Sequence, residues 1–239
     1  MPSVINEQQS RPILSSLSRR IASHFKQYPD GHLVNGRAAT ALDINLSGND
    51  YLGIGNDPRI IRRQLDALAN GHEDIFMSGV YTQHLDPQLR LENDYAAWLG
   101  AEAAVLCQSG FAANEGLLQA VAGAETPAYI DLFAHASVWQ GATVADAKAY
   151  AFRHNDATHL RRQIAEHGPG IVAVESIYST LGDLCRLQDI LDVCEETGSM
   201  LIVDESHAIG VIGLQGEGLV SHLGLADRVP FRVFSLSKA

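Results

Sequence analysis

Several chemically capable side chains directly follow short apolar runs of the sequence. Lys238 comes after the run Arg232–Phe234, and Asp204 and His207 come after Met200–Val203. A lysine amine can form a Schiff base with a carbonyl group, and a carboxylate can hold a cationic ring nitrogen. The other apolar runs are followed by Gln108, Ser109, Gly110, His135, Glu175 and Ser176. The sequence therefore indicates one site that is assembled from the ends of several strands.

This set of groups matches the needs of pyridoxal 5'-phosphate (PLP). That cofactor requires a lysine, a carboxylate for its pyridine nitrogen and a cup of N–H donors for its phosphate. Asp204 and His207 are three residues apart, so a turn after the strand can direct both at one ring. Ser109–Asn114 (SGFAAN) leads from an apolar run into a helix, whose first N–H groups can hold a phosphate. The sequence predicts PLP as the cofactor.

Two other kinds of active site lack their motifs in this chain. An ATPase of the helicase type would fit Asp204–His207, but the Gly-rich stretches at 48–55 and 210–218 contain no lysine for a phosphate loop. A serine hydrolase needs the motif G-x-S-x-G. Cys107 stands where that motif requires the glycine before Ser109. The hydrolase is therefore rejected, and the ATPase is disfavoured unless nucleotide-dependent phosphate release is observed.

Metal binding, secretion and membrane insertion are not indicated either. His154, Asp156 and His159 have ligand side chains but no recognised metal motif, so a loop and a helix start are the better interpretation. The three cysteines are odd in number and lack CxxC spacing, which favours reduced thiols. The N-terminus has no basic segment before an apolar core, and no run reaches the roughly 18 apolar residues of a membrane span. We expect a cytoplasmic protein without a metal.

The composition is that of an ordinary globular protein. The chain has 239 residues, of which 46% are hydrophobic and 19% charged, and its formal net charge is −11. A chain of this length buries about 70% of its unfolded surface, so it needs no disulfide or metal for stability. The negative charge argues against an extended surface for nucleic acid or anionic lipid.

The site residues need a scaffold, and the hydropathy pattern predicts that it is an α/β fold. The predicted strands are Ala104–Cys107, Ala128–Phe133, Ile171–Val174, Met200–Val203 and Arg232–Phe234. The predicted helices are residues 13–28, Arg59–Asn70, Leu89–Leu99, Asn114–Ala122, Ser137–Ala147, Ala157–His167 and Leu187–Thr197. Buried strands that alternate with helices predict a mainly parallel sheet covered on both faces. Such a sheet binds ligands at the carboxyl ends of its strands.

The order and spacing of seven short stretches carry a family resemblance. They are SGNDYLG at 47–53, SGFAAN at 109–114, HASVWQGA at 135–142, HND at 154–156, YSTLGD at 178–183, VDESHAIGVIG at 203–213 and SLSKA at 235–239. Together they resemble the α-oxoamine synthases, fold-type I PLP enzymes that join an amino acid to an acyl-CoA thioester. The resemblance implies an aspartate-aminotransferase-like large domain with a mainly parallel sheet, incomplete at its C-terminus.

Three stretches are similar to the branch of this family that makes quorum-sensing autoinducers. They are IDLFAHASVWQGA at 130–142, HGPGIVAVESIYSTLG at 167–182 and FMSGVYTQHLDP at 76–87. Biosynthetic members usually have a Gly-Ser-Arg type motif where this chain has Ser78–Tyr81. The resemblance implies a decarboxylating PLP-dependent acyltransferase that condenses an amino acid, or S-adenosylmethionine, with a medium- or long-chain acyl-CoA. Its product would be an α-aminoketone signal precursor.

Two alternatives to this function stay open. One is a biosynthetic α-oxoamine synthase, such as 8-amino-7-oxononanoate synthase or glycine C-acetyltransferase. The other, from a different class, is an α/β fragment without catalytic activity. Visible absorption on adding PLP separates the enzymes from the fragment, and acyl-chain preference separates the two enzymes.

The resemblance also implies roles for individual residues. Lys238 would be the Schiff-base lysine, and His135 would stack on the cofactor ring, so both are expected to be catalytic. Asp204 would pair with the pyridinium nitrogen, while His207 and Ser179 would lie near the phenolic oxygen. The other expected contacts are the backbone of Gly110 and Phe111 and the hydroxyl of Ser235 for the phosphate, and Asn49 and Tyr51 on the substrate side.

The resemblance changes the interpretation of the chain length. Residues 1–48 are expected to form an N-terminal helical segment, and residues 49–239 a PLP-binding large domain. Relatives continue beyond the lysine into a C-terminal small domain. We therefore expect an N-terminal portion of a longer, homodimeric enzyme, which by itself would bind the cofactor poorly and be inactive.

Overall fold

The helices and strands are taken from a computed structural model that describes residues 11–27, 40, 42–44, 48–70 and 87–238. The chain divides into two units, Met1–Ser47 and Gly48–Ala239. The first contains α1 (Arg11–Gln27). The second contains α2 (Pro58–Asn70), α3 (Pro87–Leu99), α4 (Gly110–Val121), β1 (Pro127–Asp131), α5 (Ala136–Val144), β2 (Lys148–Phe152), α6 (Ala157–His167), β3 (Ile171–Glu175), α7 (Leu187–Thr197), β4 (Met200–Asp204), α8 (Gly218–His222) and β5 (Phe231–Val233). Within the described ranges, none of the helices has the length and apolarity needed to cross a membrane.

The second unit is built on a five-stranded sheet in the order β2-β1-β3-β4-β5. All four pairings are parallel, which confirms the predicted α/β class. Parallel pairing brings the carboxyl ends of the strands to one edge. Glu175 at the end of β3 is therefore opposite Asp204 at the end of β4, and Asp204 is opposite Val233 of β5.

Helices cover both faces of the sheet. On one face, Val172 and Val203 pack in a buried cluster with Leu160 of α6 and Ile190 of α7. On the other face, the strand residues that alternate with those of the first cluster pack against α4 and α5. This second cluster contains Ala128, Ile130, Ile171, Ala173 and Ile202 from the strands and Leu118, Val138 and Ala142 from the helices. Successive strand residues point to opposite faces, so strands buried on both sides appear as continuous apolar runs.

Two features of the sheet differ from the sequence-based prediction. The predicted strand Ala104–Cys107 is wrong, because this run is irregular, with Val105 78% exposed and Cys107 exposed. A strand needs a neighbour for its backbone hydrogen bonds, and the run has no strand partner in the described part of the chain. The pattern also missed β2, an edge strand whose residues other than Phe152 are exposed or only partly buried.

The contact between α4 and α5 depends on a glycine. A Cβ atom on Gly141 would lie 2.7 Å from Leu118 Cδ1 and 3.1 Å from the carbonyl oxygen of Asn114. Gly116, on an exposed face of α4, has nothing within 4 Å of the equivalent position. The close approach of the two helices therefore requires glycine at 141 and does not require it at 116.

We expect Gly141→Ala to lower the free energy of unfolding by about 1–3 kcal/mol, because the added methyl group overpacks the helix contact. The matched variant Gly116→Ala should raise it by up to about 1 kcal/mol through helix propensity alone. Urea denaturation followed by circular dichroism measures both. Equal effects of the two substitutions would contradict the close contact.

Candidate active site

The buried carboxylate of Asp204 lies at the centre of the candidate site. It ends β4 at the carboxyl edge of the sheet, and its side chain is 5% exposed. Its Oδ2 accepts a hydrogen bond from Asn114 Nδ2 at 2.7 Å, and its Oδ1 accepts one from the backbone N–H of Ser206 at 2.9 Å. The carboxylate is thus fixed by one donor from α4 and one from the turn after its own strand.

The hydrogen bonds continue from Asp204 to His135. Asn114 Nδ2 also donates to Ser137 Oγ at 2.9 Å, and Ser137 Oγ lies 2.7 Å from His135 Nδ1. The same nitrogen accepts the backbone N–H of Ser137 at 3.2 Å, so His135 acts as the side-chain N-cap of α5. Because Nδ1 is an acceptor, a neutral His135 carries its proton on Nε2.

The start of α4 presents free N–H groups to the site. Ser109 caps the helix, with its Oγ accepting the N–H of Ala112 at 3.1 Å and its carbonyl accepting that of Ala113 at 2.9 Å. The N–H groups of Gly110 and Phe111 belong to the first turn, which has no partners inside a helix. A helix N-terminus of this kind favours an anion such as phosphate.

Gly110 lies against the turn that carries Ser235. A Cβ atom on Gly110 would be 3.2 Å from Ser235 Cβ and 3.6 Å from Ser206 Oγ. Two hydroxyl groups therefore stand beside the free end of α4. Ser235 Oγ is also 2.7 Å from Ser237 Oγ, which links it to the turn before Lys238. His135 and Phe111 complete this side, with their rings edge to face at 6.2 Å.

Lys238 meets His207 on the other side of the site. Lys238 Nζ lies 3.0 Å from His207 Nε2, and His207 Nδ1 lies 2.6 Å from Tyr51 Oη. Tyr51 Oη in turn donates to Asn49 Oδ1 at 3.2 Å. The two residues predicted for the substrate side are thereby brought into contact with the predicted cofactor residues.

Glu175 was assigned no role from the sequence, although it connects two loops of the site. Its Oε2 accepts the backbone N–H of Ser179 at 3.0 Å, and its carboxylate also accepts the backbone N–H of His135. The side chain is 2% exposed, and Oε1 is buried without a hydrogen-bond partner in the described part of the chain. Burial, partly opposed by the Ser179 N–H and reinforced by the charge of Asp204, raises the pKa of Glu175 to about 7.

Ser179 is the predicted site residue that the structure connects least. Its N–H is held by Glu175, but no hydrogen bond among the described residues joins its exposed side chain to the other predicted residues. His135 belongs to the hydrogen-bonded group around Asp204, and Lys238, Tyr51 and Asn49 belong to the group around His207. The other predicted residues, Gly110, Phe111 and Ser235, lie at the start of α4 and in the turn beside it. The stretch 76–87, which carries part of the family resemblance, lies outside the described residues except for its last position.

A separate cluster lies under the loop that follows β3. His154 bridges two carboxylates. Its Nδ1 lies 2.9 Å from Asp131 Oδ1, and its Nε2 lies 2.7 Å from Asp183 Oδ2. Burial lowers the pKa of His154, but the hydrogen bonds with Asp183 and Asp131 outweigh it and leave the pKa raised. Asp156 caps α6 by accepting the N–H of His159. No cluster of metal ligands is found among the described residues.

The residues missed by sequence reasoning are Asn114, Ser137, Glu175 and Ser206. Asn114 and Ser137 have partners far away in sequence, so no local pattern assigns them. The available sequence signal was a polar residue within, or next to, a mainly apolar segment. Asn114 is a buried amide in a mainly apolar helix, and Glu175 ends β3 directly after four apolar residues. The large majority of buried polar groups have hydrogen-bond partners, so a polar residue of this kind indicates a structural or functional role.

The arrangement defines a class of ligand. The free end of α4 and its neighbouring hydroxyl groups suit a phosphate, the Asp204 carboxylate suits a cationic ring nitrogen, and Lys238 offers an amine. The fold is that of the aminotransferase-like proteins. The chain belongs to the aminotransferase class I and II family, whose model matches residues 42–239.

Individual relatives are enzymes of the α-oxoamine synthase type, which confirms the predicted resemblance. The CAI-1 autoinducer synthase of Vibrio campbellii is 40% identical over 207 residues, covering 87% of this chain and 53% of that protein. The 8-amino-7-oxononanoate synthase of Anaeromyxobacter sp. (strain K) is 36% identical over 208 residues, covering 86% of this chain and 51% of that protein. The chain thus spans about half the length of the curated relatives it matches.

Solved structures agree with this assignment. The serine palmitoyltransferase of Sphingomonas wittichii has a TM-score of 0.75 and 25% identity, covering 99% of this chain and 61% of that chain. A structure of SPT with PLP has a TM-score of 0.78 and 26% identity, covering 95% of this chain and 61% of that chain. The fold is therefore the fold-type I architecture that the motifs predicted.

The titration of Glu175 gives a test of its burial. Its pKa is raised from 4.5 to about 7, so between these values the folded state binds more protons than the unfolded state. This contribution lowers the free energy of unfolding as the pH rises from about 5 to 7, and it is constant above that range. Glu175→Gln removes the titrating group and keeps the side-chain shape.

We expect the stability of Glu175→Gln relative to wild type to increase by about 2 kcal/mol between pH 5 and pH 8, since one pKa unit corresponds to 1.36 kcal/mol. Urea denaturation at the two pH values measures the difference. The exposed acid Glu102 supplies the control variant Glu102→Gln, which should leave the pH dependence unchanged. A relative stability of Glu175→Gln that is the same at both pH values would show that Glu175 is not buried as described.

Proposed function

We propose that this chain forms the cofactor-binding part of a PLP-dependent acyltransferase. The enzyme condenses an amino acid, or S-adenosylmethionine, with a medium- or long-chain acyl-CoA and gives an α-aminoketone precursor of a quorum-sensing signal. The observation that carries the proposal is the meeting of Lys238, His207 and the buried Asp204 at one edge of the sheet. The likeness to CAI-1 autoinducer synthase supports the choice of product.

The described residues fit PLP. The N–H groups of Gly110 and Phe111, with the Ser235 hydroxyl beside them, would hold the phosphate. Glycine at 110 allows this approach, because a Cβ atom there would stand 3.2 Å from Ser235 Cβ. Asp204 would face the pyridine nitrogen, where its carboxylate favours the protonated ring. Residues 49–239 would thus act as the PLP-binding large domain, preceded by a helical segment at 1–48.

PLP bound in this position supplies an electron sink for the carbon next to the substrate amine. The chain's own residues provide the rest. Lys238 Nζ, in its neutral form, would be the nucleophile toward the cofactor and the base at the substrate carbon. His135, held by Ser137 and Glu175, would pack on the ring face and limit its rotation. Ser179, on the loop fixed by Glu175, and His207 would lie toward the phenolic oxygen, and Asn49 and Tyr51 would line the substrate side.

The proposed enzyme is a cytoplasmic homodimer that binds neither nucleic acid nor membrane. α2 supports the dimer, because it has no buried residue and exposes apolar side chains such as Ile60, Ile61, Leu65 and Leu68. An exposed apolar helix face of this kind marks an interaction surface. The net charge of −11 supports the absence of a polyanionic partner.

A biosynthetic α-oxoamine synthase is the second candidate function. The observation that favours it is the series of 8-amino-7-oxononanoate synthases among the relatives, at 32–37% identity. These enzymes and the proposed one need the same cofactor residues. Substrate preference therefore distinguishes the two candidate functions, whereas cofactor binding does not.

We expect PLP to become covalently attached to Lys238 when it is mixed in excess with the chain. The chain has only three lysines, Lys26, Lys148 and Lys238, so the site can be identified without ambiguity. A visible absorption band reports the attachment, and borohydride reduction followed by peptide mapping locates it. Lys238→Ala should lose the band, and the control Lys148→Ala, at an exposed position of β2, should keep it. A wild-type chain without the band, or Lys238→Ala with the band unchanged, would overturn the cofactor assignment.

The acyl-chain preference separates the two candidate functions. In the enzyme of which this chain forms the cofactor-binding part, we expect CoA release from medium- or long-chain acyl-CoA to exceed release from short acyl-CoA by about tenfold or more, since each buried CH₂ contributes about 0.8 kcal/mol. The assay measures free thiol with acyl donors of increasing length, each with and without the amino donor. A preference for short acyl-CoA with glycine would contradict the signal-synthase proposal and favour the biosynthetic one.

A further inference from the structure

A continuous line of hydrogen bonds connects Lys238 with the surface of the protein. Lys238 Nζ lies 3.0 Å from His207 Nε2, His207 Nδ1 lies 2.6 Å from Tyr51 Oη, and Tyr51 Oη donates to Asn49 Oδ1 at 3.2 Å. Tyr51 is 45% exposed, whereas Lys238 and His207 are partly buried. The line therefore leads from the amine to a hydroxyl group that water can reach.

The charge state of His207 determines the direction in which the hydrogen bonds of this line are donated. Burial, followed by the positive charge of Lys238, lowers the pKa of His207; Asp204 opposes this shift and His135 adds to it. The imidazole is therefore neutral at pH 7, with one donor and one acceptor nitrogen. These three groups, with Tyr51, are the titratable side chains that face it in the described part of the chain.

An ammonium group can only donate, so Nε2 accepts from Lys238 and Nδ1 carries the proton of the ring. Nδ1–H then donates to Tyr51 Oη, and the tyrosine hydroxyl donates to Asn49 Oδ1. Each donor in the line has one acceptor, and only one orientation of the protons satisfies all four groups. This consistency distinguishes the line from a chance contact between side chains.

We infer that His207 and Tyr51 form a proton relay between Lys238 Nζ and solvent. The inference rests on the proposed role of Lys238, which must be unprotonated to act as a nucleophile or a base. When the relay operates, a proton of Nζ passes to His207 Nε2 and the Nδ1 proton passes to Tyr51 Oη. The hydroxyl proton of Tyr51 then leaves its hydrogen bond with Asn49 Oδ1 and passes to water. Lys238 is left as a neutral amine and His207 as the opposite tautomer. Asn49 is a positioning residue that orients the hydroxyl.

The tautomer of His207 tests the relay without any cofactor. Nitrogen-15 NMR of the histidine-labelled chain distinguishes the two neutral tautomers, and His207→Gln assigns the signal. We expect the Nδ1–H tautomer at pH 7 in the cofactor-free chain. The Nε2–H tautomer would overturn the inference, because that nitrogen could not then accept from Lys238.

The rate of PLP attachment tests the transfer itself. We expect Tyr51→Phe to slow attachment at pH 7 by about tenfold or more, as loss of a general acid–base group does, while the equilibrium affinity for PLP changes less than about threefold. The effect should shrink as the pH approaches the ordinary lysine pKa, and imidazole buffer should restore part of the rate. Stopped-flow absorbance measures the rate, and equilibrium titration measures the affinity.

Tyr95→Phe is the matched control. Tyr95 packs against Phe234 near the same turn, at a ring distance of 5.7 Å, and lies outside the line, so its variant should attach PLP at the wild-type rate. Equal rates for Tyr51→Phe and wild type would overturn the relay and leave the proposed function intact. Failure of the wild type to attach PLP would instead overturn the proposed function, and with it the role given to the relay.

Discussion

The hydrogen bond between Asn114 and Asp204 is the interaction on which the site depends. An ionised carboxylate loses several kcal/mol when it is buried without partners, so Asp204 is tolerated at the end of β4 because donors reach it. One of these donors comes from α4, 90 positions away in sequence. The bond therefore ties the first turns of α4 to the edge of the sheet, and it fixes the free N–H groups of that helix relative to the carboxylate. Gly141 allows α5 to approach closely enough for Ser137, beside His135, to join the same network.

Buried acids organise the loops along the whole carboxyl edge. Asp131, at the end of β1, accepts the N–H groups of Phe133 and Asn155. Glu175 holds the loops of His135 and Ser179, and Glu205 accepts the N–H of Val220 at the start of α8. Loops at a sheet edge have few apolar side chains to pack, so backbone donors directed at buried carboxylates take over that role. The same burial raises the pKa values of Glu175 and Glu205 to about 7. The two acids that hold these loops therefore change their protonation near neutral pH.

The sequence was informative where a residue's position depends on its own strand or turn. Asp204, His207 and Lys238 lie within four residues of the end of an apolar run, and parallel pairing then brings strand ends together regardless of their separation in sequence. Asn114 escaped detection because its role appears only when α4 crosses to β4. The strand predicted at Ala104–Cys107 failed for a related reason, since a run of apolar residues becomes a strand only if another strand pairs with it. In β2 the opposite happened: Lys148–Phe152 pairs with β1, although its exposed face hides the apolar pattern.

Rigidity is distributed unevenly around the site. The carboxylate, the end of α4 and His135 rest on a sheet that is covered on both faces, and their mutual hydrogen bonds are buried. Lys238, Tyr51 and Asn49 lie on segments with exposed apolar neighbours, such as Leu236 and Leu52, each 53% exposed. These segments are held to His207 by polar contacts and by the tilted packing of the Tyr51 ring on the imidazole. The groups that would orient a cofactor are thus preorganised, whereas the amine that must gain and lose protons sits on the adjustable side. A lysine that exchanges partners needs that freedom, and a carboxylate that holds a charge in place does not.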